Sequence, residues 1–128
     1  MFLVPTYLDK CKYGIGVFAN AGIRSGSLVY RTTPGTAIEI NSKLFKELSH
    51  SGEQFKKYCY TMHGITYLTL DDGRYFNHAK TPNVVFSDTA NAYIAAKDIK
   101  AGEELLVDYY DFCDAEDHNI QIIENTTY

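Results

Sequence analysis

Two segments of the sequence share one pattern, in which Ile-x-x-Gly leads into a β-rich run. Ile23 to Gly26 precedes Leu28 to Thr32, and Ile99 to Gly102 precedes Leu105 to Tyr109. Glycine supplies the positive φ that such turns often require. The two copies predict two similar hairpin corners in a fold of short strands. Because there is no third copy, they do not indicate a repeat protein.

Other β-rich runs are spread along the chain. Strands are predicted at Ile15 to Ala19, Ile65 to Leu70, Val84 to Ser87 and Ala92 to Ala96. Each run is short and is bounded by Gly, Asp or Asn, which is typical of strands joined by tight turns. The expected architecture is therefore a set of small sheets.

Two helix signals lie between these strands. Asn41 is a candidate N-cap for a helix with Leu44, Phe45 and Leu48 on one face. Ser51 and Gln54 then have the spacing of a capping box. The apolar stripe that follows this second signal consists of Phe55, Tyr58, Cys59 and Met62. The sequence thus predicts a mainly β fold with a short helical insert.

Composition is that of an ordinary globular domain. The chain has 128 residues, of which 45% are hydrophobic and 22% charged, so we expect a single domain over residues 1–128. Eleven tyrosines and seven phenylalanines suit either a β-rich core or a ligand pocket. The net charge of −4 gives no basic footprint for nucleic acid, and it is compatible with a basic peptide partner.

Several classes of site are disfavoured. Cys11, Cys59 and Cys113 are widely spaced with no C-x-x-C pair, so we expect neither a disulfide scaffold nor a metal site. There is no apolar run of transmembrane length and no basic segment before the first apolar residues, which predicts an intracellular protein away from membranes. The acidic C-terminal tail, residues 113–128, is either a solvated end or a rim for a cationic substrate.

Three motifs could carry chemistry. Gly14-Ile15-Gly16 allows close backbone approach to a ligand, although a structural turn is the alternative because the rest of a dinucleotide fingerprint is missing. Asn77-His78 offers donors and acceptors that could hold a polar ligand or merely tie a buried loop. The run from Asp98 to Tyr109, taken alone, is an acidic turn leading into a strand.

In this order the motifs resemble the SET-domain family of protein lysine methyltransferases. They read Gly-x-Gly-Val-Phe-Ala, then Arg-Tyr-Phe-Asn-His with Pro-Asn beginning four residues after the His, then Asp-Ile-x-x-Gly-Glu-Glu-Leu-x-x-Asp-Tyr, within residues 13–112. The resemblance implies a β-clip fold in which the C-terminal strand passes the Asn-His segment as a pseudoknot. It also implies S-adenosylmethionine as cofactor, and the short chain is similar to stand-alone viral and bacterial members.

The resemblance assigns roles to the matching positions. Tyr109 would be catalytic and would align the substrate amine, while Glu104 and Asp108 would support the pseudoknot. The residues placed against S-adenosylmethionine are Gly14, Ile15, Gly16, Arg74, Asn77, His78 and Tyr109. Asn77 would bond the amino-acid portion, His78 the adenine, and Arg74 would brace the loop. The residues placed along the substrate channel are Tyr58, Tyr60, Phe86 and Val107.

The chain also departs from the family pattern. Ala79 stands where Ser or Cys usually follows Asn-His, and no cysteine-rich zinc motif follows the domain. Closure of the pocket would then come from the tail after Phe112, from residues near Tyr58 and Tyr60, or from a second subunit in a homodimer. Phe86 leaves space that would favour di- or trimethylation.

The expected function is therefore S-adenosylmethionine-dependent methylation of lysine on a histone tail or another basic protein, in the cytoplasm or a host nucleus. Two alternatives stay open. One is a binding module that keeps the fold without catalysis. The other is methylation of a non-histone protein, such as a ribosomal protein.

Overall fold

The computed structural model describes residues 1–47 and 52–125, in which short strands dominate and three short helices occur. The strands are β1 (Thr6–Cys11), β2 (Gly14–Ala19), β3 (Leu28–Tyr30), β4 (Ala37–Ile40), β5 (Cys59–Met62), β6 (Ile65–Thr69), β7 (Asn77–His78), β8 (Val84–Ser87), β9 (Ala92–Ala95) and β10 (Leu106–Val107). The helices are α1 (Ser42–Glu47), α2 (Glu53–Lys57) and α3 (His118–Glu124). The prediction of a mainly β fold with a helical insert is confirmed.

The strands form small sheets rather than one continuous sheet. β1 and β2 make an antiparallel hairpin, β9 lies between β3 and β8, and β6 lies between β4 and β5. β7 and β10 are parallel, with Leu106 opposite Asn77 and Val107 opposite His78. Parallel neighbours need a long connection, so this pairing joins two segments that are distant in sequence.

The two Ile-x-x-Gly corners pair with each other. Ile23 and Ile99 exchange two backbone hydrogen bonds, each 2.8 Å long. Gly26 and Gly102 have φ values of +84° and +90°, a region where a Cβ atom is unfavourable. Turns are present at both corners, because the Ser27 N–H bonds the Arg24 carbonyl at 3.0 Å and the Glu103 N–H bonds the Lys100 carbonyl at 3.1 Å. The prediction of hairpins is wrong, since the segments on either side of each turn pair with other parts of the chain. The pairing of the two corners brings the second half of the chain against the first.

The core lies between β2, β3, β8 and β10. Val17, Val29, Val84 and Leu105 are fully buried. Complete burial of such side chains contributes about 1.5–3 kcal/mol each. Phe76 joins the same cluster directly before β7. The core therefore fixes the segments on either side of Asn77-His78.

The second helix is shorter than predicted. α2 ends at Lys57, and residues 59–62 form β5, in which Cys59 pairs with Leu68 and Met62 with Ile65. The placement of Cys59 and Met62 on a helical stripe is therefore wrong, because pairing with β6 outweighs the local helical pattern. His63 and Gly64 have positive φ and turn the chain into β6.

Other local predictions have mixed outcomes. Asn41 accepts a hydrogen bond from the Leu44 amide at 3.0 Å, which confirms the first cap. Leu48 and Ser51 lie outside the described residues, and so does the capping box that Ser51 would form. β1 and β4 were not predicted.

The acidic tail is not a solvated end over residues 113–125. It contains α3, which buries Ile120 and Ile123. Asp117 at the N-cap is only 1% exposed. No helix in the described part of the chain is long and apolar enough to cross a membrane.

Candidate cofactor and substrate site

Two neighbouring cavities open beside the β7–β10 pair. The smaller cavity, about 270 Å³, is lined by Tyr13, Lys57, Asn77, His78, Tyr109 and Asn119, with Ile122 and Ile123 of α3 as an apolar wall. The larger cavity, about 630 Å³, is rich in aromatic side chains. Lys57, Tyr109 and Asn119 line both cavities and therefore mark the junction between them.

Tyr109 is held in place at this junction. It begins a 3-10 turn, residues 109–111, in which the Asp108 carboxylate accepts the Tyr110 N–H at 3.0 Å. The backbone N–H of Tyr109 donates to Nδ1 of His78 at 3.1 Å, and its hydroxyl donates to the Phe76 carbonyl. Both bonds end on residues that flank Asn77. Tyr109, which follows β10, is therefore held by the β7 segment with which β10 pairs.

His78 is a neutral ring at neutral pH. Burial lowers its pKa and Lys80 acts in the same direction, whereas the Asp108 carboxylate, 3.6 Å from Nδ1, opposes the shift. Because Nδ1 accepts the Tyr109 N–H, the proton of the neutral ring is assigned to Nε2. His78 thus offers the smaller cavity an uncharged aromatic ring.

Asn77 connects the three sequence motifs. Its side-chain nitrogen donates to the Ile15 carbonyl at 3.1 Å and to the Glu104 carboxylate at 2.8 Å, with a longer contact of 3.3 Å to the Cys11 sulfur. The N–H groups of this amide therefore tie a buried loop, as one of the sequence interpretations held. No residue in the described ranges donates to its Oδ1, which can still accept from a ligand.

Gly16 provides the space for this connection. A Cβ on Gly16 would lie 2.4 Å from Glu104 Oε2 and 3.2 Å from Asn77 Nδ2. Only a glycine leaves the carboxylate and the amide where they are. The Gly-Ile-Gly motif therefore packs against the Asn-His and Glu-Glu motifs.

A second asparagine holds β10. Asn83 donates to the Glu104 carbonyl and accepts from the Leu106 N–H, both at 2.8 Å. The side chain acts as a short piece of partner strand for residues 104–106, and it is only 6% exposed. Asn83 is the asparagine of the Pro-Asn pair in the second motif, and its two bonds to residues 104–106 explain why an amide side chain is needed at this position.

The larger cavity gathers the residues expected along a substrate channel. Tyr58, Tyr60, Phe86 and Val107 all line it, together with Tyr109. Phe86 is 44% exposed, whereas Val107 is 2% exposed, so Phe86 lies at the mouth and Val107 in the wall.

Aromatic side chains form an apolar part of the wall of this cavity. Tyr60 meets Phe112 edge to face at 5.6 Å, and Tyr93 meets Phe86 in the same way at 5.3 Å. Burial raises the pKa of Tyr93 to about 12 and raises that of Tyr60 as well. Both hydroxyls therefore stay protonated at neutral pH.

Some expected cofactor residues lie elsewhere. Gly14, Ile15 and Gly16 do not line either cavity directly; their neighbour Tyr13 lines the smaller one. Arg74 lines the larger cavity, where its guanidinium lies 5.0 Å from the Tyr75 ring centre.

Several lining residues were not anticipated from the sequence. They are Tyr13, Lys57, Asn119, Ile122 and Ile123 in the smaller cavity and Phe76, Tyr93 and Phe112 in the larger. A local signal existed for α3, since Asp117 precedes Ile120 and Ile123 at helical spacing. No local signal points Lys57 toward a cavity. Within residues 1–47 and 52–125, no three His, Cys, Asp or Glu side chains meet as a metal site.

Closure of the smaller cavity comes in part from the tail. Asn119, Ile122 and Ile123 of α3 form one side of it. The region near Tyr58 and Tyr60 closes part of the larger cavity. The tail and the region near Tyr58 and Tyr60 thus line the cavities that they are expected to close.

Comparison with known proteins agrees with this geometry. The family model for the SET domain matches residues 14–110. A candidate histone methyltransferase of Plasmodium falciparum superposes with a TM-score of 0.53 at 22% identity, over 83% of this chain and 93% of the other. No curated protein sequence matches significantly.

Two polycomb structures from Chaetomium thermophilum share the fold. Polycomb repressive complex 2 in an autoinhibited conformation bound to S-adenosylmethionine matches with a TM-score of 0.63 and 24% identity, over 95% of this chain and 17% of that one. Another structure of the complex matches with a TM-score of 0.59 and 26% identity, over 83% and 15%. The chain therefore spans a small part of the polycomb chains, and with residues 14–110 matched it belongs to the SET-domain family.

Proposed function

We propose that this chain is an S-adenosylmethionine-dependent protein lysine methyltransferase in which Tyr109 is the catalytic residue. The observation that carries the proposal is the position of Tyr109 at the junction of a small cavity, which contains Asn77 and His78, and a larger one rich in aromatic side chains. A group transfer needs two ligands to meet at one point with fixed orientation. The two cavities provide separate places for a donor and an acceptor.

The smaller cavity suits S-adenosylmethionine. Its lining combines Lys57, Asn77 and the neutral His78 ring with the apolar wall of α3. An adenosine joined to a zwitterionic amino acid requires these kinds of partner. When bound, this cofactor supplies a methyl group activated by a sulfonium sulfur. Asn77, His78 and Tyr109 would hold it, beside the Gly14–Gly16 segment that Asn77 fixes.

The larger cavity suits a lysine side chain. Deprotonating a free lysine, whose pKa is about 10.4, costs roughly 4.6 kcal/mol at pH 7. Desolvation among Tyr60, Tyr93 and Phe112 disfavours the ammonium and so reduces that cost. Since the Tyr109 hydroxyl donates its proton to the Phe76 carbonyl, its oxygen is fixed as an acceptor that orients the amine.

A basic protein is the proposed substrate, with a histone tail favoured. The net charge of −4 attracts a basic peptide, and one structural neighbour is described as a candidate histone methyltransferase. Val107 is a small wall residue in the same cavity as Tyr109, and Phe86 brings no hydroxyl to the mouth. Both features support addition of more than one methyl group.

Transfer of labelled methyl from S-adenosylmethionine to core histones tests the proposal. We expect Tyr109→Phe to lower kcat by about 10²-fold, a typical effect of removing one polar group that acts at the reacting atoms. The matched control is Tyr7→Phe, because Tyr7 lies in β1, is 37% exposed and lines neither cavity. That variant should label at the wild-type rate.

Other outcomes separate the alternatives. Equal rates for the wild type and Tyr109→Phe would remove Tyr109 as the catalytic residue. Cofactor binding without labelling of any basic protein would favour a binding module. Labelling of ribosomal proteins but not histones would show that the substrate is a ribosomal protein rather than a histone.

A further inference from the structure

Among the described residues that line the smaller cavity, Lys57 is the one basic side chain of the lysine or arginine type. The other lining residues are tyrosines, asparagines, isoleucines and the neutral His78, and no carboxylate is among them. A cavity wall with a cation and no acid favours an anionic group. We infer that Lys57 binds the carboxylate of the cofactor's amino-acid portion, an inference that rests on the proposed function.

The Lys57 ammonium lacks a counter-ion in the described part of the chain. No carboxylate there lies within 4.0 Å of it. Its contacts are the Tyr13 carbonyl, to which it donates, and the Tyr58 ring, whose centre is 5.7 Å away. Neither partner is charged, so a carboxylate entering the cavity would gain a charge-assisted hydrogen bond without displacing another acid.

The backbone of Lys57 is fixed from the opposite side. Lys57 is the last residue of α2, and its carbonyl accepts a hydrogen bond from the Asn119 side chain at 3.2 Å. The same amide donates to the Cys59 carbonyl at 3.0 Å. Because α3 holds the end of α2 in this way, the lysine stem starts from a defined point.

The ammonium and the Asn77 amide meet the same short segment. Lys57 bonds the carbonyl of Tyr13, and Asn77 bonds that of Ile15. Between them lies Gly14, with φ +114°, where a Cβ would come within 2.9 Å of the Lys57 Nζ. Glycine at this position leaves room for the ammonium.

This end of the cavity is therefore complementary to an amino acid zwitterion. The Asn77 Oδ1 can accept from an ammonium, and Lys57 can donate to a carboxylate. Adenine is uncharged, so it would form no ion pair with Lys57.

The test measures binding rather than methyl transfer. S-adenosylhomocysteine carries both the ammonium and the carboxylate, whereas S-adenosyl-3-thiopropylamine keeps the ammonium and lacks the carboxylate. Calorimetric Kd values for both would be compared in the wild type and Lys57→Met. We expect the variant to bind S-adenosylhomocysteine about 10-fold or more weakly, as loss of a charged hydrogen bond implies. The Kd of the decarboxylated compound should stay within about twofold, because that compound has no carboxylate for Lys57 to bind.

Two further variants sharpen the comparison. Lys56→Met makes the same change one residue earlier on α2, where the ammonium lies 3.7 Å from the Glu53 carboxylate, and it should leave both Kd values unchanged. Lys57→Gln removes the charge but keeps an N–H donor for the Tyr13 carbonyl. It should show the same selective loss as Lys57→Met, and it replaces that variant if Met at this position impairs folding.

The outcomes that overturn the inference are distinct from failure of the proposed function. Equal weakening of both ligands in Lys57→Gln, or no weakening of either, would show that Lys57 does not bind the carboxylate and is at most a structural tie between α2 and the β1–β2 turn. The proposed function would still hold, because the wild-type chain would bind the cofactor. A wild-type chain that binds neither S-adenosylhomocysteine nor S-adenosylmethionine would overturn the proposed function together with the inference.

Discussion

Gly16 is the residue on which the site's internal contacts depend most directly. It is buried, and the Glu104 carboxylate occupies the space that a side chain at position 16 would fill. This carboxylate accepts a hydrogen bond from the Asn77 amide. The pair is partly buried, so its hydrogen bond is shielded from competing water. One glycine thus connects β2, β7 and the segment before β10.

We expect Gly16→Ala to displace the Glu104 carboxylate and cost about 1.5–3 kcal/mol of the free energy of unfolding, the range for a lost hydrogen bond to a charged group. Urea unfolding measures this. Gly22→Ala is the matched control, since its nearest neighbour would be 3.9 Å from the new Cβ, and it should not destabilise.

A double-mutant cycle checks the cause. In a Glu104→Ala chain the clash is gone, so Gly16→Ala should cost much less than in the wild type. Additive costs would mean that Glu104 is not the group that Gly16 accommodates.

At the scale of elements, α3 is the piece that joins the tail to the site. Asp117 accepts the N–H groups of Asn119 at 2.7 Å and Ile120 at 3.4 Å, and also that of Thr61 in β5. Asp114 accepts from His63 and Gly64 in the turn after β5, and these bonds lower its pKa. A helix of seven residues is not stable alone, so these contacts hold it.

Asp117→Ala should therefore release α3. Loss of the cap and of a buried acceptor predicts a cost of roughly 1–3 kcal/mol. The Thr61 and Ile120 amides should exchange hydrogen faster in this variant. The rise in melting temperature that S-adenosylhomocysteine produces should also be smaller than in the wild type.

The control for this experiment lies at the other end of the same helix. The exposed Asn125 side chain donates to the Gln121 carbonyl at 2.9 Å and to no other residue within 1–47 and 52–125, so Asn125→Ala should leave the Thr61 amide protected. Unchanged exchange at Thr61 in Asp117→Ala would show that α3 is held by its apolar face instead.

Across the whole molecule, the β7–β10 pair closes the fold. Val107 lies opposite His78, the Ala79 N–H bonds the Val107 carbonyl at 2.9 Å, and the Tyr109 N–H bonds the His78 ring. Ala79 needs only its backbone for this contact. The closure includes a titratable acceptor, so it depends on pH.

Acid should weaken this closure. The pKa of His78 is lowered below its ordinary value of 6.5, mainly by burial, so the unfolded chain takes up the proton first. The stabilisation is present above pH 6.5 and is lost as the pH falls through the lowered value. The unfolding free energy of the wild type should thus fall more between pH 7.5 and 5 than that of His78→Asn, which keeps an acceptor but does not titrate. Parallel pH profiles for the two chains would contradict this.

Those parts of the site that depend on local residue chemistry could be predicted from the sequence. The glycine corners need positive φ, and the order of Gly16, Asn77 and Glu104 within long motifs identified the family. These features are local, because a turn or a missing side chain constrains its own neighbours. The strands predicted near β2, β8 and β9 have the same local origin.

The tertiary structure alone decided which distant segments meet. Residues 59–62 became a strand because β6 was available to pair with them, against their helical spacing. α3 is held by hydrogen bonds to residues more than fifty positions earlier, and it sets the end of α2 from which Lys57 reaches the cavity. Long-range pairing leaves no periodic signal in either partner, so the lining of the smaller cavity depended on the fold.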